Sequence, residues 1–369
     1  MYFRYVMFFF FACMVINFAH ATEDPKTIYI IPCCINGNPF NAEKPMFVIP
    51  MLIPALQAFK QASEWYGYTV KIDFAKTELS DVAHIILFDI PVRPNMAHLT
   101  KHSKARLSFI PWEPPSVRPR SYESVAHSFY SHVFTWHDDL IDNNVYFKIC
   151  YPYPFLSMID PVDFSYKKFC TLINANKGSH HPDELYSERI NAIEFFECYA
   201  PQDFDLYGYG WDACNYQCFK GIIPNIYRCG LSKIQVLKQY KFCICYENMS
   251  NINGYVTEKI FDCFHAGVVP VYGGAANISR YIPRNCFIAR EDFDSYEALY
   301  HFLASMSKAT YEEYLASIRK YLASAQAFIF SNEYFVDALL RHIIPAYKPE
   351  DIFDESILLK LAAVKKIYQ

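Results

Sequence analysis

Apolar residues along this chain gather in short, nearly unbroken runs separated by stretches in which they recur at helical spacing. The first run, "TIYIIPCC" from Thr27 to Cys34, reads as a strand, and Met51 to Tyr66 reads as the helix after it. "TVKIDFA", "HIILFDI", "RLSFIPW" and "HVFTW" follow as further strands. Runs that are continuously apolar, instead of alternating, suit parallel strands covered on both faces. The passage "YPYPFLSMIDPVD", Tyr151 to Asp163, breaks the pattern with prolines and reads as a linker.

The alternation then restarts. "KFCTLINAN" predicts a strand, "DELYSERINAIEFFECY" an amphipathic helix and "DFDLYGYGW" a strand. "SKIQVLKQY" predicts a helix, "YKFCICYEN" a strand and "TEKIFDCFHAG" a helix stopped by Gly267, with Pro270 just beyond. "VVPVYGG" is the next strand, and from about Ser295 the tail is helical. Strand and helix alternating twice over predict an α/β chain of two βαβ-type domains facing each other. The expected divisions are 27–160, 161–345 and a tail at 346–369.

The N-terminus changes the picture of where the chain works. In "MYFRYVMFFFFACMVINFAHATEDPK" a single cation, Arg4, precedes an uncharged apolar run ending in Ala19-His20-Ala21. That is the layout of a secretory signal, so residues 1–21 are expected to be a signal peptide or an uncleaved signal anchor. Membrane contact is expected through this segment alone, if it is retained. Of 13 cysteines, Cys13 lies inside this run, and an exported chain can pair some of the remaining twelve. Cys243 and Cys245 share one face of a strand and cannot easily bridge each other. No CxxC pair supports a structural zinc site. With 53% hydrophobic residues and a net charge of only -4, the chain is a globular protein with no electrostatic signature of a nucleic-acid partner.

Candidate chemistry concentrates in "YENMSNINGYVTEK", Tyr246 to Lys259, between an apolar strand and the start of a helix. Ligands of open α/β sheets bind at the carboxyl ends of strands, and helix N-termini favour anions. Lys259 there adds a cation for a diphosphate, whereas Glu258 opposes an anion and suits a sugar's hydroxyls or developing positive charge. Asn248-Met249-Ser250 is also a glycosylation sequon, a reading incompatible with a ligand cleft. A second sequon, Asn277-Ile278-Ser279, reads as a surface glycan site. In "FIPWEPPSVRPR", Pro114 and Pro115 stop the chain just after Glu113 and hold it at a strand's end beside Trp112. An apolar surrounding raises a carboxyl's pKa, which suits a general base. Asp138-Asp139 and the acidic stretch 351–355 read as solvated, and "YGYGW" from Tyr207 to Trp211 places aromatic rings near the cleft without phosphate-loop spacing.

"YKFCICYENMSNINGYVTEKIFDCFHAGVVPVYGG" resembles the signature block of the α-1,3/4-fucosyltransferases, with Tyr246 where that family usually has Phe. "IPWEPPS" is similar to the family's strand-end Glu-x-Pro segment, and in "KFCTLINANKGSHHPDELYSERINAIEFF" Arg189 falls at its donor-phosphate arginine. The resemblance spans roughly residues 107–287. It implies a GT-B-type architecture of two Rossmann-like domains, with GDP-fucose as the donor substrate held by the C-terminal one. Carried over residue by residue, Arg189, Asn248, Tyr255, Glu258 and Lys259 would contact the donor. Glu113 would take the proton of the acceptor hydroxyl, and Glu258 would steady the oxocarbenium-like transition state.

The resemblance therefore implies an inverting transfer of L-fucose to a hydroxyl of an oligosaccharide, glycoprotein or glycolipid, with an α-1,3 linkage to N-acetylglucosamine or glucose. No cofactor is expected, and no divalent metal for donor binding. A related enzyme with another nucleotide sugar, or a catalytically silent glycan-binding protein, are the alternatives. The N-terminal segment adds a secretory location: a Golgi-type lumen in a eukaryote, or an exported or membrane-associated enzyme in a bacterium.

Overall fold

A computed structural model describes residues 24–32, 52–72, 79–90, 106–154, 156–223 and 231–368. The expected signal or anchor at 1–21, and the cysteines Cys33 and Cys34 at the end of the first predicted strand, lie outside them. No helix of the described residues is long and apolar enough to cross a membrane.

The described chain builds two parallel sheets. The first holds β1 (Thr27–Pro32), β2 (Thr69–Ile72), β3 (Val82–Phe88), β4 (Leu107–Ile110), β5 (His132–Thr135) and β6 (Tyr146–Lys148) in the order β2-β1-β3-β4-β5-β6. Every pairing in it is parallel. The second holds β7 (Lys168–Ile173), β8 (Phe204–Tyr207), β9 (Tyr240–Tyr246), β10 (Val269–Gly273) and β11 (Ile288–Ala289) in the order β11-β10-β9-β7-β8, again all parallel. The apolar runs are the reason: β1 is buried along its whole length, as is β4, because helices and loops cover both faces. The expected α/β architecture of two parallel sheets is what the chain forms. β6 and β11 are additions to it, three and two residues long, too short to leave an apolar run in the sequence.

The helix Glu258–Ala266 starts on a Thr257 N-cap and ends at Gly267, whose φ of +67 closes the last turn as its N–H returns to Cys263 and Phe264. Helices Tyr296–Ser305 and Lys308–Leu322 stay with the second sheet's core, which includes Leu299, Tyr311 and Ile318. The helix Asn332–Ile343 instead returns to the first sheet, placing Phe335, Val336, Leu339 and Leu340 in one cluster with Ile28, Phe59 and Trp112. The last helix, Glu355–Tyr368, sets Leu361 and Val364 into the second core. The proline-rich passage after β6 is packed: Tyr151 and Tyr153 are buried, and the Tyr153 hydroxyl donates to Asp262 at 3.0 Å.

All nine described cysteines are free thiols, so the pairing open to an exported chain is not realised among them.

Candidate functional site

The carboxyl ends of β4, β7, β8 and β9 face a common cleft of about 240 Å³. Glu113, Arg189, Asn248, Tyr255, Glu258 and Lys259 all line it, joined by Lys177, Tyr186, Tyr209 and Lys233. The six residues singled out in the sequence, one from the first sheet and five from the second, thus come together in a single place.

The floor of the cleft is an ion network centred on a residue the sequence reading passed over. Glu247, directly after β9, is 0% exposed. Its carboxylate accepts the Thr257 N–H at 2.8 Å, the Thr257 hydroxyl at 2.7 Å and Lys259 Nζ at 3.1 Å. Lys259 Nζ also reaches the Thr257 hydroxyl at 2.9 Å, while Glu258 lies 3.7 Å away. The principal partner of Lys259 is therefore Glu247, twelve residues upstream, and not its sequence neighbour. The signal that could have found it is the acid placed immediately after a continuously apolar strand. Burial opposes the charge on Lys259, but Glu247 and Glu258 outweigh it and hold the ammonium above its usual range.

Glu258 sits in the first turn of its helix, where the dipole and a Thr257 cap favour a carboxylate. Burial raises its pKa, yet Lys259 and Lys233 win and keep it below the ordinary value. Lys233 is tied to Asp262 at 2.8 Å, and Tyr153 holds that same carboxylate. Glu258 is thus an ionised acid flanked by two cations.

Arg189 is buried, stacked 4.8 Å over the Tyr186 ring. Its Nη2 donates to the carbonyls of Tyr246 (2.9 Å) and Glu247 (2.7 Å) and to Asn248 Oδ1 (3.1 Å). These bonds fix the strand-end loop. Its Nε is buried with no partner among the described residues, a donor open to an acceptor from outside them. The Asn248 amide is part of the same cleft wall, so the sequon there is occupied by structure.

Glu113 follows β4 at the junction between the sheets. Asp89, buried, accepts the N–H groups of Trp112 (2.9 Å) and Glu113 (3.2 Å) and the Ser121 hydroxyl (3.2 Å), which sets the loop. The Tyr122 hydroxyl donates to the Glu113 carbonyl at 2.9 Å. Burial pushes the Glu113 carboxyl up, and Lys259 and Lys177 pull it back only in part. The site therefore holds two carboxyls with opposite shifts, a raised Glu113 and a lowered Glu258. Opposed shifts of this kind separate an acid–base group from a permanently charged one.

Two expectations are corrected. Asp138 is not solvated: it is part-buried, paired with Lys148 at 2.6 Å and bonded by Asn277 Nδ2 at 2.6 Å. The Asn277 sequon is accordingly no free surface site, because both ends of its amide are engaged, Oδ1 accepting the Gly254 N–H at 2.9 Å. Among the described residues no group of three or more His, Cys, Asp or Glu side chains is arranged to hold a metal ion.

Two parallel sheets with a cleft lined by cations at their strand ends define an α/β fold. Over 90% of this chain and 100% of the other, it superimposes on a glycosyltransferase from Rickettsia africae ESF-5 with a TM-score of 0.52 at 9% identity. Residues 215–339 match the model for glycosyltransferase family 10 (fucosyltransferase), C-terminal part. The 4-galactosyl-N-acetylglucosaminide 3-alpha-L-fucosyltransferase 9 of Mus musculus is 29% identical over 164 residues, covering 42% of this chain and 39% of the relative. The alpha-(1,3)-fucosyltransferase FucT of Helicobacter pylori is 35% identical over 66 residues, 18% of this chain and 14% of the relative. Over residues 215–339 the chain is similar to the family 10 fucosyltransferases. It spans about two fifths of the length of the first curated relatives it matches.

Proposed function

We propose that the protein transfers L-fucose from GDP-fucose, with inversion, to a hydroxyl of a glycan, forming an α-1,3 linkage to N-acetylglucosamine or glucose. The observation that carries this reading is the shared cleft: Glu113 from the first sheet lines it together with Arg189, Asn248, Tyr255, Glu258 and Lys259 from the second. That relatives of the chain are a 3-alpha-L-fucosyltransferase and an alpha-(1,3)-fucosyltransferase supports it.

In this reaction the acceptor oxygen attacks the anomeric carbon of fucose as its proton passes to a Glu113 carboxylate oxygen. The bond from that carbon to the diphosphate oxygen breaks, and GDP leaves with the electron pair. Lys259 and Arg189 meet the charge that grows on the diphosphate, and the buried Nε of Arg189 supplies a donor for one of its oxygens. Glu258 stays ionised beside the sugar and offsets positive charge on the ring as the oxocarbenium character develops, as carboxylates do in glycoside chemistry. Asn248 and Tyr255 line the donor's path. Donor binding in this scheme draws its positive charge from side chains and calls for no divalent metal. We infer a secretory location from the N-terminal apolar segment, in a Golgi-type lumen for a eukaryotic host and exported or membrane-associated for a bacterial one.

Nucleotide release tests the reading directly. The protein is incubated with GDP-fucose, GDP-mannose or UDP-galactose, with and without a lactosamine acceptor. Release of GDP from GDP-fucose, stimulated by acceptor, is the expected result. Release from another donor alone moves the chain to a different sugar, and release from none makes it a silent glycan binder.

A further inference from the structure

Asp138 joins residues of the first sheet to a loop and a turn of the second, behind the residues that line the cleft. It follows β5, and its carboxylate accepts Lys148 Nζ from β6 of the first sheet. From the short helical turn 278–281 beyond β10 it accepts Asn277 Nδ2 and the buried Tyr281 hydroxyl. The Asp138 N–H donates to the Asn253 carbonyl at 3.1 Å, and Asp139 accepts the Asn253 amide at 3.0 Å. The other end of the Asn277 amide takes the Gly254 N–H. Asn253 and Gly254, just upstream of the Tyr255 to Lys259 stretch, are thereby gripped from both sides.

The fit leaves no slack. Gly254 has a φ of +83, and a Cβ there would lie 2.2 Å from the Trp136 carbonyl oxygen. Trp136 in turn packs at a tilt against Tyr255, ring centroids 4.7 Å apart, and donates its Nε1–H to the Trp112 carbonyl at 3.0 Å. The next residue is Glu113. Lys148 Nζ, held by Asp138, also donates to the Trp136 carbonyl at 2.6 Å, so a continuous path of hydrogen bonds and packed rings runs from Asp138 through Lys148, Trp136 and Trp112 to Glu113, and from Trp136 to Tyr255. By contrast, among the described residues the hydrogen-bond partners of Lys259 Nζ and Arg189 Nη2 all belong to the second-sheet side.

We propose that Asp138 is a positioning residue, a latch between the sheets that sets Glu113 at working distance from the donor loop without itself touching the nucleotide. The proposal rests on the fucosyl-transfer reading above. It separates two quantities that a general loss of fold moves together: donor affinity, which the second-sheet network holds, and the transfer step, which needs Glu113 in register.

The test compares the wild-type protein with Asp138→Asn and Tyr281→Phe, measuring kcat for transfer from GDP-fucose and the Kd for GDP alone. The carboxamide of Asp138→Asn must present an N–H to one of its three donors. The expected result is a kcat lowered about ten- to a hundredfold, as for a reacting group displaced by about 1 Å, with GDP affinity within about twofold. Tyr281→Phe, which deletes one hydroxyl and no ring, should show the same split at smaller size, and it decides the matter if Asp138→Asn does not fold. An unchanged kcat, or parallel losses of kcat and GDP affinity, overturns the latch. Amide exchange at Gly254 keeps the two ideas apart: it should be slow in the wild type and faster in both variants. A wild type that transfers no fucose while its Gly254 amide behaves this way removes the functional reading and leaves the latch; unchanged exchange removes the latch.

Discussion

Replacing Glu247 by glutamine probes the ion network at its centre. The side chain is fully buried and accepts three hydrogen bonds, two from Thr257 and one from Lys259. Glutamine keeps the shape. Whichever way its amide turns, an N–H₂ faces the Thr257 N–H on one side or the Thr257 hydroxyl and the Lys259 ammonium on the other. Breaking a buried ion pair by removing one partner costs about 3–5 kcal/mol. Lys259 retains some solvent contact, with 16% of its side chain exposed, and Glu258 stands 3.7 Å away, so about 2–3 kcal/mol is the expected loss. In a chain of this size that lowers the midpoint of thermal unfolding by about 3–4 °C. The same change frees Lys259 from its anchor, and losing a charged hydrogen bond to the diphosphate weakens GDP binding about ten- to a hundredfold. Differential scanning calorimetry and titration calorimetry with GDP measure the two effects. Glu258→Gln is the control: it should cost less than about 1 kcal/mol and leave GDP affinity equal or tighter, because an anion near the diphosphate is removed. If the two variants behave alike, or Glu247→Gln is neutral, the network is wrongly drawn.

Three further outcomes follow from the same structure. His84, buried and bonded to Ser108 at 2.7 Å, has its pKa pushed down by burial and by His132 to about 3. The unfolded chain takes up that proton near 6.5 and the folded one does not, so stability is full above pH 6.5 and falls as pH drops toward 3, by about 2 kcal/mol from His84 at pH 5. Urea unfolding at pH 7 and 5 should show this slope in the wild type and a shallower one in His84→Gln. Gly254→Ala forces a side chain into a φ of +83 and against the Trp136 carbonyl; a loss above about 1–2 kcal/mol is expected, and a neutral result in the same unfolding assay would refute the tight contact. The raised carboxyl of Glu113 places the acid limb of kcat/KM above the ordinary glutamate range, activity rising with pH through it, and Lys177→Ala should move that limb to higher pH because Lys177 lowers the pKa. A limb that moves down contradicts the assignment.

Much of this architecture was legible in the residues, and the exceptions have physical causes. Unbroken apolar runs marked most of the strands, since parallel strands buried on both faces need no polar positions. β6, with the half-buried sequence Tyr-Phe-Lys, and the two-residue β11 carry no such mark. Glu113, Glu258 and Lys259 could be found because each stands where a strand stops or a helix starts. Glu247 carries no local mark of its role because its partners Thr257 and Lys259 lie ten and twelve residues further on, across a loop. Asp138 resembled a solvated loop because its partners Asn277 and Tyr281 lie about 140 residues further on, a separation that no local pattern encodes.

In the proposed reaction Glu113 performs the proton transfer while the second sheet's cations hold the donor. Glu113→Gln preserves the shape and removes the base. Fucose transfer from GDP-fucose to N-acetyllactosamine, measured in single turnover beside the Kd for GDP-fucose, should fall about 10²- to 10⁴-fold with donor affinity within about threefold. Transfer that persists in this variant, or a collapse of donor affinity with it, would contradict the account.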